Sequence, residues 1–164
     1  MRLGYVSIAG RGATDACVAE AVAVLRARGV ILAGAVQTEA AQLDAHPCDM
    51  DLQVLPDGPV FRISQTLGNS ARGCRLDGGV LETAAIEAAI RFQGAQALIV
   101  NKYGKLEAEG RGFLPLMIQA LDQGIPVLVG VNQMNLQGFL DFAQGEAQAL
   151  PADPQAVAAW VMGN

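Results

Sequence analysis

The sequence predicts a three-layer α/β domain: a mostly parallel sheet with helices on both faces and a small β-hairpin-like insertion around residues 48–66. Two observations point there. Short, almost continuously apolar runs alternate with segments of helical apolar spacing, the pattern of strands covered on both faces by their crossover helices. The first apolar run closes in the glycine cluster Ala9-Gly10-Arg11-Gly12 directly before a helical segment. The chain has 164 residues, 52% of them apolar and 16% charged. A chain of that length buries on the order of 70% of its unfolded surface, so one domain over 1–164 needs no disulfide staple.

Leu3 to Ile8 reads as the first strand; Val18, Val22 and Leu25 then recur at helical spacing up to Gly29. Val30 to Val36 is a second buried strand, completing a β-α-β unit with parallel strands. Gln37 to Asp77 interrupts the alternation. It carries the polar turn Pro56-Asp57-Gly58-Pro59 between β-like pieces at Asp51 to Leu55 and Val60 to Ser64, which suggest an inserted hairpin. Leu81 to Phe92 reads as an alanine-rich helix and Ala97 to Val100 as a strand. Leu114, Met117, Ile118 and Leu121 mark a helix ended by Gly124, followed by a strand over Pro126 to Val131. Helices around Leu136 to Ala143 and Pro154 to Met162 finish the chain.

Composition narrows the partners. A net charge of −5 with no basic stripe argues against nucleic acid, because nothing is arranged to displace phosphate counterions. No apolar stretch approaches the ~20 residues that span a bilayer, so no membrane partner is expected. Met1-Arg2-Leu3-Gly4-Tyr5 runs into strand-like sequence without the order of a signal peptide, and Cys17, Cys48 and Cys74 are an odd number in no disulfide spacing. A cytoplasmic location is the expectation. The low charge content suggests that part of the apolar surface is covered in a homo-oligomer.

The glycine cluster resembles a phosphate-binding loop, G-x-x-x-x-G-K-[ST], whose backbone N–H groups cradle phosphates. Laid on Ser7 to Thr14, the frame matches at Gly12 and Thr14 and departs at Ser7 and at Ala13, which stands where the lysine would be. Gly10, Arg11, Gly12, Ala13 and Thr14 therefore form a candidate anion site, with the helix dipole and Arg11 as its positive elements. The alternative is a plain strand-to-helix turn. Asp15 would repel an anion if it pointed inward, and an N-cap role for Thr14 or Asp15 is the simpler expectation.

The strand Ala97 to Val100 runs into Asn101-Lys102-Tyr103-Gly104-Lys105-Leu106-Glu107, at the kind of strand end where open α/β sheets place ligands. This segment resembles the second nucleotide-binding motif of small P-loop nucleoside-triphosphatases related to nucleoside kinases, roughly D-E-[IV]-G-K-M-E. Gly104, Lys105 and Glu107 match, while Asn101 replaces the metal-organising Asp and Lys102 the Glu that would orient water. The resemblance implies a P-loop fold with a degenerate Walker A motif. Together with Ala13, these replacements leave little to hold Mg²⁺ or activate water, so no catalytic and no metal-binding residue is expected. Asn101 and Lys102 join the anion-binding candidates, with a merely polar strand terminus as the alternative.

Over nearly its whole length the chain resembles the bacterial domain-of-unknown-function family 2478. The resemblance rests on Cys48-Asp49-Met50-Asp51-Leu52, on Ile63 to Gly68, on Gly73-Cys74-Arg75-Leu76-Asp77, and on Asn101 to Lys105 through Glu109-Gly110-Arg111-Gly112. It implies a link to molybdenum transport, hence molybdate or tungstate beside a nucleotide as ligand classes. Arg72 and Arg75, in a loop before a helix, and Arg111, between two glycines, are further anion-binding candidates, since a guanidinium fork suits an oxyanion. A structural bridge from Arg75 to Asp77 or Asp51 is the alternative for that residue.

His46, Cys48 and Cys74 lack a zinc spacing, Cys17 reads as core, and no hydroxyl or thiol stands beside a histidine base. The expected function is thus a non-hydrolysing or weakly hydrolysing binding protein for a nucleotide or oxyanion, a small anionic ligand. The alternatives are an active Mg-dependent nucleoside-triphosphatase or kinase with substituted residues, and an interaction subunit with a vestigial pocket.

Overall fold

The computed structural model describes residues 1–38, 50–64 and 76–164. Arg72 and Arg75, with His46, Cys48, Ser70 and Cys74, lie outside the described residues. In chain order the elements are β1 (Leu3–Val6), α1 (Ala13–Ala27), β2 (Leu32–Thr38), β3 (Asp51–Leu55), β4 (Val60–Arg62), α2 (Gly78–Ile90), β5 (Ala97–Val100), α3 (Lys105–Ala108), α4 (Leu114–Asp122), β6 (Val127–Gly130), α5 (Leu136–Ala143), β7 (Ala147–Ala149) and α6 (Pro154–Met162).

The strands form one sheet in the order β4-β3-β2-β5-β6-β1-β7. The pairs β2–β5, β5–β6, β6–β1 and β1–β7 are parallel, and β3 and β4 are antiparallel additions to the β2 edge. The expected hairpin is therefore part of the main sheet, with Val36 opposite Gln53 and Leu52 opposite Phe61. Asp51, one expected partner for Arg75, has its carboxylate held by Arg62 across β3 and β4. Asp77, the other, accepts from the Gly79 and Val80 amides and caps α2, which starts three residues before the expected Leu81.

Period-two alternation divides the strands between two cores. Leu98, Val100, Val127 and Val129 pack on one face, where Ala84 and Ala88 of α2, Met117 of α4 and Phe139 of α5 close over them. Ala97, Ile99 and Leu128 point the other way, into Val18, Val22 and Leu25 of α1 and Val157 and Val161 of α6. Each of the larger side chains among them, Val, Leu, Ile, Met or Phe, stabilises the fold by about 1.5–3 kcal/mol before entropy when removed from water. Cys17 is buried in this second core, and burial pushes its thiol pKa up, with Glu20 adding to the shift.

Two elements were not read from the sequence. β7, Ala-Gln-Ala, is short, mostly exposed and without an apolar pattern; it is a strand because Leu3 and Tyr5 of β1 offer it a parallel edge. α3 is one turn, inside what reads as a polar loop. Among the described residues no helix is long and apolar enough to cross a membrane.

Candidate functional site

The parallel strands end on one side of the sheet, and β6 lies between β1 and β5. This order places the loop after β1 one strand away from the polar end of β5. Val131 donates its amide to Val6 and Tyr103 donates to Gly130, so the three strand ends are tied together just below the loops. Gly130 permits that approach: a Cβ there would lie 2.2 Å from the Asn101 carbonyl oxygen.

The glycine loop enters α1 through Gly12, the N-cap, at φ 75° and ψ −3°, a left-handed conformation that glycine adopts without strain. No side chain caps this helix, which corrects the N-cap role expected of Thr14 or Asp15. Thr14 is buried in the first turn, and its hydroxyl accepts from the Ile8 amide at 3.0 Å and lies 3.4 Å from the Ile8 carbonyl. The hydroxyl expected on a metal or phosphate is thereby used to close the loop on itself. The Ala13 amide donates to the Gly10 carbonyl at 3.4 Å, and because the first amides of a helix lack intrahelical partners, the rest of the opening turn of α1 is a donor surface at the positive end of the dipole.

Asp15 points toward the end of β5. Its carboxylate accepts from the Asn101 side-chain amide at 3.1 Å and stands 4.0 Å from the Lys102 ammonium. The other end of the Asn101 amide accepts from the Gln37 amide at 2.8 Å, so this buried residue clamps β2, β5 and α1. Lys102 is half-buried beside it.

Two of the cavities at this clamp share Lys102. The loop crevice, about 440 Å³, is lined by Ile8, Gly10, Arg11, Gly12, Thr14, Asp15 and Lys102, with Asn132 to Met134 across from them. Of the sequence candidates, Gly10, Arg11, Gly12, Thr14 and Lys102 are thus brought together, with Ala13 as the first residue of α1. Its charged lining is two cations, Arg11 and Lys102, against one carboxylate, Asp15. Asn101 and Arg111 line the second cavity instead, on the other side of Lys102. Arg111 is exposed and paired with Glu109, and it is not among the residues lining the loop crevice.

Sequence reasoning missed the part played by Glu107. It is 1% exposed, and its two carboxylate oxygens accept from the Gly104 amide at 3.0 Å and the Phe113 amide at 3.1 Å. Burial raises its pKa, and those amide bonds only partly offset the rise. Glu82 accepts from Gly112 at 2.9 Å, so two carboxylates hold the turn that presents Arg111. A glutamate three residues after Gly104, at a helix start, is the signal that marks it. Tyr103, also buried, anchors the same segment against Phe139 and Phe142, and burial raises its pKa, with Glu107 contributing. Among the described residues no group of three or more His, Cys, Asp or Glu is placed to hold a metal ion.

Residues 3–160 match the family described as "Protein of unknown function (DUF2478)", and the chain belongs to it. Over 120 residues it is 32% identical to the Molybdenum import ATP-binding protein ModC 2 of Bradyrhizobium diazoefficiens, a match taking in 71% of this chain but 13% of that protein. The chain therefore spans a small part of that relative. Among solved structures it resembles THEP1 from the hyperthermophile Aquifex aeolicus, with TM-score 0.65 and 16% identity over 94% of this chain and 91% of the other. It also resembles a human cancer-related nucleoside triphosphatase, with TM-score 0.62 and 16% identity over 99% and 96% of the two chains. At that identity the likeness is one of fold: a mostly parallel mixed sheet with surrounding helices, as in P-loop nucleoside-triphosphatases.

Proposed function

We propose that this member of the DUF2478 family holds a small oxyanion, or the phosphates of a nucleotide, in the loop crevice without efficient hydrolysis. The observation that carries the reading is the clamp of Asn101 on Asp15. Metal-assisted phosphoryl transfer requires carboxylates free to hold a cation and to orient water. At the strand end that role would fall to Asn101, which is neutral and engaged at both ends of its amide. Asp15, the carboxylate lining the crevice, is bound to Asn101 and faces Lys102, while the Thr14 hydroxyl is bound to Ile8. This donor set does not fit Mg²⁺.

What remains suits an anion. The α1 N-terminus supplies amides, and Arg11 and Lys102 bring cationic side chains to the crevice lining. Molybdate or tungstate are favoured clients because a relative is named for molybdenum import. We read the crevice residues Gly10, Arg11, Gly12, Thr14 and Lys102, with Ala13 opening α1 beside them, as the cradle, in one domain over 1–164. Phosphate release from ATP and GTP, with and without Mg²⁺, tests the non-hydrolytic half. The expected result is no Mg²⁺-dependent turnover, whereas turnover abolished by Lys102→Ala would establish an enzyme instead.

A further inference from the structure

The second cavity, about 230 Å³, opens behind Lys102 and is not explained by an anion cradle. Its walls are Met50, Leu52, Ile63, Leu81, Leu106 and Phe113, contributed by β3 and the residues flanking β3 and β4, by α2 and α3, and by the turn before α4. Gln37, Asn101 and Lys102 provide polar groups at the strand ends, and Leu76, 41% exposed, leaves an apolar side chain at the mouth. An apolar cleft with a few convergent polar groups is the usual form of a small-molecule site, although this one is smaller than the roughly 300–1,000 Å³ of drug-sized pockets. Its size suits a body of one or two rings.

Charge indicates what such a body carries. Lys102, Lys105 and Arg111 line the cavity against Glu107 and Glu109. Both oxygens of Glu107 accept backbone amides, and Glu109 is shared between Arg111 and Lys105. Glu109 thus takes up Lys105 and Arg111, which leaves Lys102, 4.0 Å from Asp15 on the crevice side, as the cation that the cavity shares with the loop crevice. We infer that this cavity is a second binding site, for a small, largely apolar organic molecule bearing one anionic group, whose charge is met by Lys102. The apolar body lies among Leu52, Leu81, Leu106 and Phe113, and Lys102 stands between it and the loop crevice, lining both.

Naphthalene-2-sulfonate and neutral 2-naphthol, titrated into the full chain and followed by their fluorescence, test this inference. Gly78 supplies a blocking variant, since a Cβ there would lie 3.8 Å from Leu106 Cδ1, in ordinary contact, and a larger side chain fills the cavity. Saturable one-to-one binding of the sulfonate is expected, weakened at least about tenfold by Gly78→Phe or by Leu106→Trp. Lys102→Met weakens the sulfonate about threefold or more and leaves 2-naphthol within about twofold. Non-saturable binding, or undiminished affinity in either filling variant that keeps the wild-type circular dichroism, overturns the site. Equal losses for both probes in Lys102→Met overturn the anionic part. Inorganic phosphate titrated separately reads the loop crevice, so the failure of one site is distinguishable from that of the other.

Discussion

The side-chain amide of Asn101 donates to the carboxylate of Asp15 at 3.1 Å, joining the end of β5 to the first turn of α1 across 86 positions of sequence. A neutral donor facing a carboxylate is a stable pair; two carboxylates at that distance are not. The Asn101 that reads in the sequence as the loss of a carboxylate is thus one half of a contact with Asp15.

Asn101→Asp should therefore destabilise the protein by about 1–3 kcal/mol at neutral pH, through the lost hydrogen bond and the new repulsion. The deficit should shrink as pH falls and the carboxylate pair takes up a proton. Urea unfolding of the single variants and of the exchanged pair Asp15→Asn with Asn101→Asp measures it. The exchange should recover most of the loss, giving a coupling energy of about 0.5–3 kcal/mol.

Glu107→Ala leaves the buried Gly104 and Phe113 amides without acceptors and should cost about 2 kcal/mol or more. The same carboxyl has a pH signature. Its folded pKa is raised above the unfolded value, mainly by burial, so the folded state binds the extra proton. Its contribution is fully present below the unfolded pKa and is lost as pH rises through the folded one. Glu107→Gln should flatten that limb of a stability profile recorded by denaturant unfolding across acidic to neutral pH.

Gly130→Ala places a methyl group 2.2 Å from the Asn101 carbonyl oxygen and 3.3 Å from Thr14 Cγ2. The first contact is with backbone in the middle of the sheet and cannot be relieved by a rotamer change. A loss of about 2 kcal/mol or more is expected in thermal or urea unfolding, together with weaker anion binding because β5 and α1 are both displaced.

Thr14→Val keeps the volume and removes the hydroxyl that accepts from Ile8. It should cost about 1 kcal/mol and lower oxyanion affinity several-fold by loosening the loop, which titration of the variant reads directly.

Much of this was legible in the chain. Ala97 to Val100 and Val127 to Gly130 are apolar at every position because both faces of the sheet are covered, and Gly12 follows a strand where a turn into a helix needs positive φ. The partnership of Asp15 with Asn101 was not legible, since it follows from β6 lying between β1 and β5, and strand order is set by tertiary packing. Arg111 reads as an anion-binding candidate, but flanking glycines reveal nothing about direction; Glu82 and Glu107 hold its turn, and it lines the second cavity rather than the loop crevice. Ala147 to Ala149 carries no strand pattern, because its pairing depends on an edge that β1 supplies.

Calorimetric titration of molybdate, tungstate, phosphate, ATP and GTP into the full chain, each with and without Mg²⁺, tests the anion cradle most directly. The account predicts saturable heat with at least one of them, unchanged when Mg²⁺ is removed and reduced in Lys102→Ala. Absence of heat with all five, or binding that appears only with Mg²⁺, would contradict it.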